Sequence, residues 1–160
     1  MNQKNLSKWL KGVVIGTAII GAIVYGYILP MCWKVGTEGH TTLGGNMYWI
    51  RMVFIWITAI PCCLALVYAW KIFTEIGNNN SFSLVNAKYL KNMARLALLD
   101  TAYYFTGNLV LFLLGRNHPA VLLGSLLIDF AGIAFSVLCA ALSHLVYKAA
   151  VLKEESELTI

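Results

Sequence analysis

Residues 52–70 read MVFIWITAIPCCLALVYAW, nineteen consecutive positions without a charge. A hydrocarbon core of about 30 Å needs roughly 20 apolar residues to be crossed by a helix. This stretch therefore predicts a membrane span, and it sets the scale against which the rest of the chain is read. Three further stretches qualify. Gly12 to Trp33 is uncharged from Val13 onward, Ala94 to Gly115 is interrupted by Asp100, and Ala120 to Tyr147 is interrupted by Asp129. The expectation is an all-α, polytopic membrane protein: a four-helix transmembrane bundle in a single membrane domain over 1–160. Its spans fall at about 12–33, 52–70, 94–115 and 120–147, with a connector over 71–93 and a tail over 148–160.

Composition agrees. Of 160 residues, 59% are hydrophobic and 12% charged, whereas a soluble domain carries about 25% charged residues. The mean hydropathy is +0.72. An ordinary cytosolic enzyme, a disordered chain and a nucleic-acid module are excluded. The first span has basic residues ahead of it, as a signal peptide would. Its apolar run exceeds an h-region of about 7–15 residues and no A-x-A-like site follows, so it is expected to remain. Leu29-Pro30-Met31-Cys32 departs from a lipobox because Met31 is too large.

Basic residues orient the spans. Lys4, Lys8, Lys11, Lys71, Lys88, Lys91, Arg95, Lys148 and Lys153 fall on one side, and Lys34, Arg51 and Arg116 on the other. Nine against three places both termini in the cytoplasm of a multi-pass membrane protein. Trp33, Tyr48 and Trp49 then belong to the outer aromatic belt, with Trp9 and Trp70 in the inner one.

The four cysteines, Cys32, Cys62, Cys63 and Cys139, form no C-x-x-C pair and read as small apolar packing residues. His40, His118 and His144 match no metal spacing. No cofactor or metal is expected.

Helices in lipid associate by close packing. Gly12-x-x-x-Gly16 and Ala18-x-x-x-Ala22-x-x-x-Gly26 form one small-residue stripe. Gly124, Ile128, Gly132, Ser136 and Ala140, four residues apart, form another. Packing inside the monomer is the first expectation, with a homo-oligomer left open. Pro61 removes a helix hydrogen bond and predicts a bend, with Thr58 placed to satisfy the freed Ile57 carbonyl. In the connector, Gly77-Asn78-Asn79-Asn80 should end the second helix. Ser83 then reads as an N-cap, with Asn86 three residues on. Leu84, Ala87, Leu90, Ala94 and Leu98 follow helical spacing, with Lys88, Lys91, Asn92 and Arg95 opposite. A short amphipathic cytoplasmic helix is predicted, on the inner membrane surface, turning or continuing into the third span.

Asp100 and Asp129 demand explanation, since an ionised Asp at mid-span costs at least about 2.5–3.5 kcal/mol on insertion scales. Such residues face the interior and find partners, or stay protonated. Asp100, Tyr104 and Asn108 share one stripe; Ser125, Asp129, Gly132 and Ser136 share another. Equal distance from the turn at Arg116-Asn117-His118-Pro119 predicts an Asn108–Asp129 contact and places Asp100 near Ser136. Tyr104 and Tyr25 are alternative partners for either acid.

The connector Glu75-Ile76-Gly77-Asn78-Asn79-Asn80-Ser81-Phe82-Ser83, the tail Leu152-Lys153-Glu154-Glu155-Ser156-Glu157-Leu158-Thr159-Ile160 and the four-span layout together resemble a bacterial family of small membrane proteins classed as a domain of unknown function. Its members show G-x-P-F-S near the second loop and an E-E-x-D/E-L-T-I tail. Ser81 stands where the family often has proline, which loosens the turn before Phe82. Members are often encoded beside a Cro/C1-type helix-turn-helix regulator, so the resemblance implies a regulatory pairing with such a protein. It brings no catalytic residues.

Three functions compete. The first is a membrane regulator that binds a cytosolic partner such as a helix-turn-helix repressor, without touching nucleic acid itself. It would use Phe82, Ser83, Lys88 and Lys91 of the connector and Glu154, Glu155 and Glu157 of the tail. The second is a small proton-coupled transporter, or an export or immunity protein, using Asp100 and Asp129. The third, a membrane enzyme, lacks a C-x-x-C pair, a Ser/His/Asp cluster and a metal box, so the chain is not read as an enzyme.

Overall fold

The computed structural model describes residues 3–31, 44–115 and 117–158, without the side chains of 44–48, 157 and 158. Among them are helices α1 (Gln3–Ile23), α2 (Gly44–Gly77), α3 (Leu84–Leu113) and α4 (Pro119–Leu158), with no strand. The helix of α1 runs on through a π-helical turn at Val24–Ile28 to Met31. All four are long and apolar enough to cross a membrane. The expectations for Cys32, Trp33, Lys34, His40 and Arg116, and for the Tyr48 and Glu157 side chains, lie outside the described residues.

The helices outrun the expected spans because lipid thickness does not end a helix; capping does. α2 stops where Gly77 is followed by Asn79 in the left-handed region (φ 60°). α3 starts where the Ser83 hydroxyl accepts the Asn86 N–H at 3.2 Å. Asn86 is the organiser between them. It is 1% exposed, and its side-chain amide donates to the Asn80 and Ser81 carbonyls, each at 3.1 Å. The helical part of the connector continues unbroken into the third span. Part of its apolar face packs inside the bundle, Leu90, Met93 and Ala94 gathering with Ile72 of α2 and Cys139 of α4, while Leu84 and Leu98 stay exposed. At the other end, Gly115 (φ 67°) turns the chain and Pro119 opens α4, where its missing N–H costs nothing.

Polarity is inverted relative to a soluble domain. Ser7, Thr58, Asn86, Asn108, Ser125, Asp129, Ser136 and Ser143 are buried, while Ile20, Ile60, Leu99, Leu127 and Phe130 are exposed. That pattern suits lipid, where apolar surface need not hide and polar groups must.

α3 and α4 form the most extensive contact. Buried or half-buried positions along α4 include Ser125, Asp129, Gly132, Ser136, Cys139, Ser143, Val146 and Ala150. Along α3 they include Ala87, Leu90, Ala94, Ala97, Thr101, Tyr104 and Asn108. Both alternate steps of three and four, the repeat of a coiled-coil seam. Ser136 and Ser143 donate across it to the carbonyls of Ala94 (2.8 Å) and Ala87 (2.7 Å). A strict step of four winds off such a seam. Of the expected α4 stripe, Gly132 and Ser136 therefore face α3, whereas Gly124 meets open space and Ile128 and Ala140 are exposed.

Among the described residues the α1 stripe finds no packing partner either: none of them comes within 4 Å of a Cβ built at Gly12, Gly16 or Gly26. α1 instead meets α2 through its first turns. Ser7 donates to the Phe73 carbonyl, and a Cβ at Gly77 would sit 2.8 Å from the Ser7 hydroxyl. One end of the bundle thus gathers the start of α1, the α2–α3 connector and the end of α4, the basic end. There the Lys11 ammonium lies 5.2 Å over the Trp70 ring.

Candidate functional site

Close backbone contacts run α1–α2, α2–α3 and α3–α4, with none between α1 and α4 or α2 and α4. Small residues at mid-height leave a cavity of about 450 Å³ between them, walled by all four helices. Tyr25 enters from the π-helical turn; Thr58 and Cys62 come from α2, Asp100 and Tyr104 from α3, and Asp129 from α4. A π-turn shifts the helix face by one residue and is frequent at functional sites. Here it lies where α1 presents Tyr25 to Thr58.

A line of weak polar contacts crosses the cavity. The Thr58 hydroxyl donates to the Ile55 carbonyl at 2.7 Å, not to the Ile57 carbonyl that Pro61 frees. Its oxygen is therefore left to accept the Tyr25 hydroxyl, 3.1 Å away. The Cys62 sulfur is 3.9 Å from the Tyr25 hydroxyl and 3.9 Å from Asp100 Oδ2. A thiol has one proton, so Cys62 can donate to one of these at a time, and at that length the bond is weak. Asp129 is more isolated: it is 5% exposed, and both carboxyl oxygens are buried with no hydrogen-bond partner among the described residues.

The expected pairings shift by about a turn. Asn108 is buried, but its amide donates to the Tyr104 carbonyl at 2.9 Å and its Oδ1 accepts from Asn117 at 3.3 Å. It ties α3 to the turn, not to Asp129. Ser136 faces Ala94, not Asp100, and Asp100 looks toward α2. The reason lies in the hairpin: α3 ends at Leu113 and the chain turns through Leu114 and Gly115. The pivot thus precedes the four-residue turn from which depth was reckoned. Tyr104 stacks with Phe54, centroids 5.9 Å apart. Phe54 fits there because Gly107 has no side chain; a Cβ at that position would lie 2.0 Å from the ring.

Sequence reasoning passed over Cys62, which it took for packing, and Gly107. The signal for Cys62 was its place one turn beyond Thr58 on the helix face. Gly107 carried none, because a ring from another helix creates the need for it. In the connector, Phe82 is 57% exposed, Ser83 is spent as the N-cap, and Lys88 and Lys91 are exposed. Glu154 and Glu155 are exposed on α4, which stays helical to Leu158. Among the described residues no three His, Cys, Asp or Glu side chains gather to hold a metal ion.

The family described as "Protein of unknown function (DUF2975)" matches residues 35–160. The uncharacterized membrane protein YoaS of Bacillus subtilis (strain 168) is 27% identical over 150 residues, covering 92% of each chain. No solved structure matches the chain.

Proposed function

The chain belongs to the DUF2975 family of unknown function, and we propose that within it this membrane protein is a small regulator of the bacterial cell membrane. Both termini lie in the cytoplasm. A small molecule from the bilayer or the envelope occupies the cavity, and the basic end binds a cytosolic partner such as a helix-turn-helix repressor. One observation carries this reading: α3 is a single unbroken helix, Leu84–Leu113. It holds Lys88 and Lys91 at one end and the cavity residues Asp100 and Tyr104 further along. A rigid helix that contributes to both places couples them, because a shift at the wall moves the connector. The exposed Phe82, the lysines Lys88 and Lys91 and the acidic Glu154 and Glu155 of the tail offer a docking surface of mixed charge.

The test uses the full chain in lipid nanodiscs and a purified Cro/C1-type helix-turn-helix repressor. Capture of the repressor is expected, with loss on Lys88→Glu/Lys91→Glu and on truncation after Lys153. No capture by the intact chain refutes the reading. A second reading, a proton-coupled transporter, is favoured by the presence of Asp100 and Asp129 in the wall of one cavity. It requires proton flux in proteoliposomes that Asp100→Asn and Asp129→Asn abolish; equal flux with and without the protein removes it.

A further inference from the structure

We propose that the groove near the start of α1 binds an anionic phospholipid, its headgroup held by Lys8 with Lys4 and its acyl chain laid over Gly12 and Val13. The inference is separate from the regulator reading, whose lysines stand on α3. The groove has a volume of about 520 Å³ and is lined by Lys8, Trp9, Gly12 and Val13. Gly12 opens it: no described residue comes within 4 Å of a Cβ built there. Trp9 forms one wall and is 76% exposed. An indole in that position suits the headgroup level of a bilayer, with its apolar body among the chains and its N–H toward water. Below the groove, Val13 and Ile20 continue an exposed apolar flank. They lie on a different face from Ser7 and Val14, the buried residues of α1.

Charge selects the headgroup. Lys4, Lys8 and Lys11 follow at steps of four and three, so they share one helix face and repel one another, and α1 carries no acidic residue. Lys11 is answered by the Trp70 ring at 5.2 Å. Lys71, on α2, is answered by the rings of Tyr68 and Tyr89 at 5.9 and 5.6 Å. Lys4 and Lys8 are exposed, with no such ring and no carboxylate beside them among the described residues. Glu75, the acid of α2 at this end, accepts the Asn80 amide at 3.0 Å. Glu154 and Glu155 belong to α4, which makes no close backbone contact with α1. An anion at the mouth of the groove supplies the missing counter-charge. A second copy of the chain would not, since a two-fold contact through this face brings the same lysines together. A soluble anion leaves Trp9 and the floor at Gly12 and Val13 uncovered. A phospholipid delivers negative charge and hydrocarbon in one molecule, at the depth where this groove presents a partner for each.

The experiment is native mass spectrometry of the full chain, released from detergent micelles and titrated with palmitoyl-oleoyl phosphatidylglycerol or with phosphatidylcholine of the same chains. The anionic lipid is expected to bind about tenfold or more tightly, since each lysine near the headgroup contributes about fivefold. Lys8→Gln should lose about fivefold. Gly12→Leu fills the groove without altering charge and should lose a comparable factor; the open space at Gly12 admits the larger side chain without disturbing the fold. Lys88→Gln/Lys91→Gln removes more charge from the same end of the bundle but outside the groove, and should stay within about twofold. Equal affinity for the two lipids overturns the proposal, a comparison made on the unaltered chain. Unchanged binding in Lys8→Gln or Gly12→Leu overturns it as well. A loss in the α3 double variant as large as that in Lys8→Gln marks the attraction of a basic surface instead of a groove, and overturns it too. Glycerol 1-phosphate displacing the lipid at equal concentration marks a site for a soluble anion and overturns the lipid assignment.

Discussion

Gly132→Ala is expected to loosen the α3–α4 seam. A Cβ at Gly132 would stand 2.2 Å from the Thr101 hydroxyl oxygen and 3.4 Å from the Thr101 Cβ. The hydroxyl must therefore swing away or the helices must part. Thr101 Oγ1 donates to the Ala97 carbonyl at 2.8 Å, so swinging away sacrifices a hydrogen bond worth about 0.6–1 kcal/mol in a membrane. Parting the helices is an overpacking cost of roughly 1–3 kcal/mol. Against both stands the better helix propensity of Ala over Gly, about 1 kcal/mol. The net is close to zero if the hydroxyl swings away and a loss of up to about 2 kcal/mol if the helices part, read as resistance to unfolding by SDS in mixed micelles followed by circular dichroism. Gly124→Ala is the control, since nothing lies within 4 Å of its Cβ, and it should leave stability unchanged or raise it. Thr101→Ala removes the obstructing oxygen, so Gly132→Ala in that background should cost about 1 kcal/mol less or nothing. Equal behaviour of Gly132→Ala and Gly124→Ala would refute the seam as described.

Two other perturbations follow from the same packing. Gly107→Ala places a methyl 2.0 Å from a Phe54 ring carbon; a loss of about 1–3 kcal/mol is expected, with Phe54→Ala relieving part of it in the double variant, both read by the same SDS titration. Asn86→Ala removes two hydrogen bonds to the connector carbonyls of Asn80 and Ser81. It should cost about 1–3 kcal/mol and open residues 78–83 to proteolysis, a change that limited digestion of the nanodisc-embedded protein detects.

Much of the architecture was legible beforehand because lipid imposes a length. Uninterrupted apolar runs of about 20 residues have one stable fate in a bilayer, so four crossings, the hairpin opening at Pro119 and the N-cap at Ser83 all follow from local chemistry. The burial of Asp129, Asn108 and Ser136 was legible too, since intramembrane polar groups must turn inward. What local chemistry left undecided was contact between helices. The seam of α4 departs from a four-residue stripe, because a seam alternates steps of three and four, and neither period can be told from a few glycines. The partners of Asn108 and Ser136 depend on where the hairpin pivots, and moving that pivot a few residues shifts pairings by about a turn. Cys62 meets Asp100, and Phe54 fills the notch at Gly107, because separate helices happen to stand at one height. Such meetings are set by the summed packing of whole helices, which no single stretch of chain encodes. The cavity is the clearest instance, for it is the volume those helices leave between them.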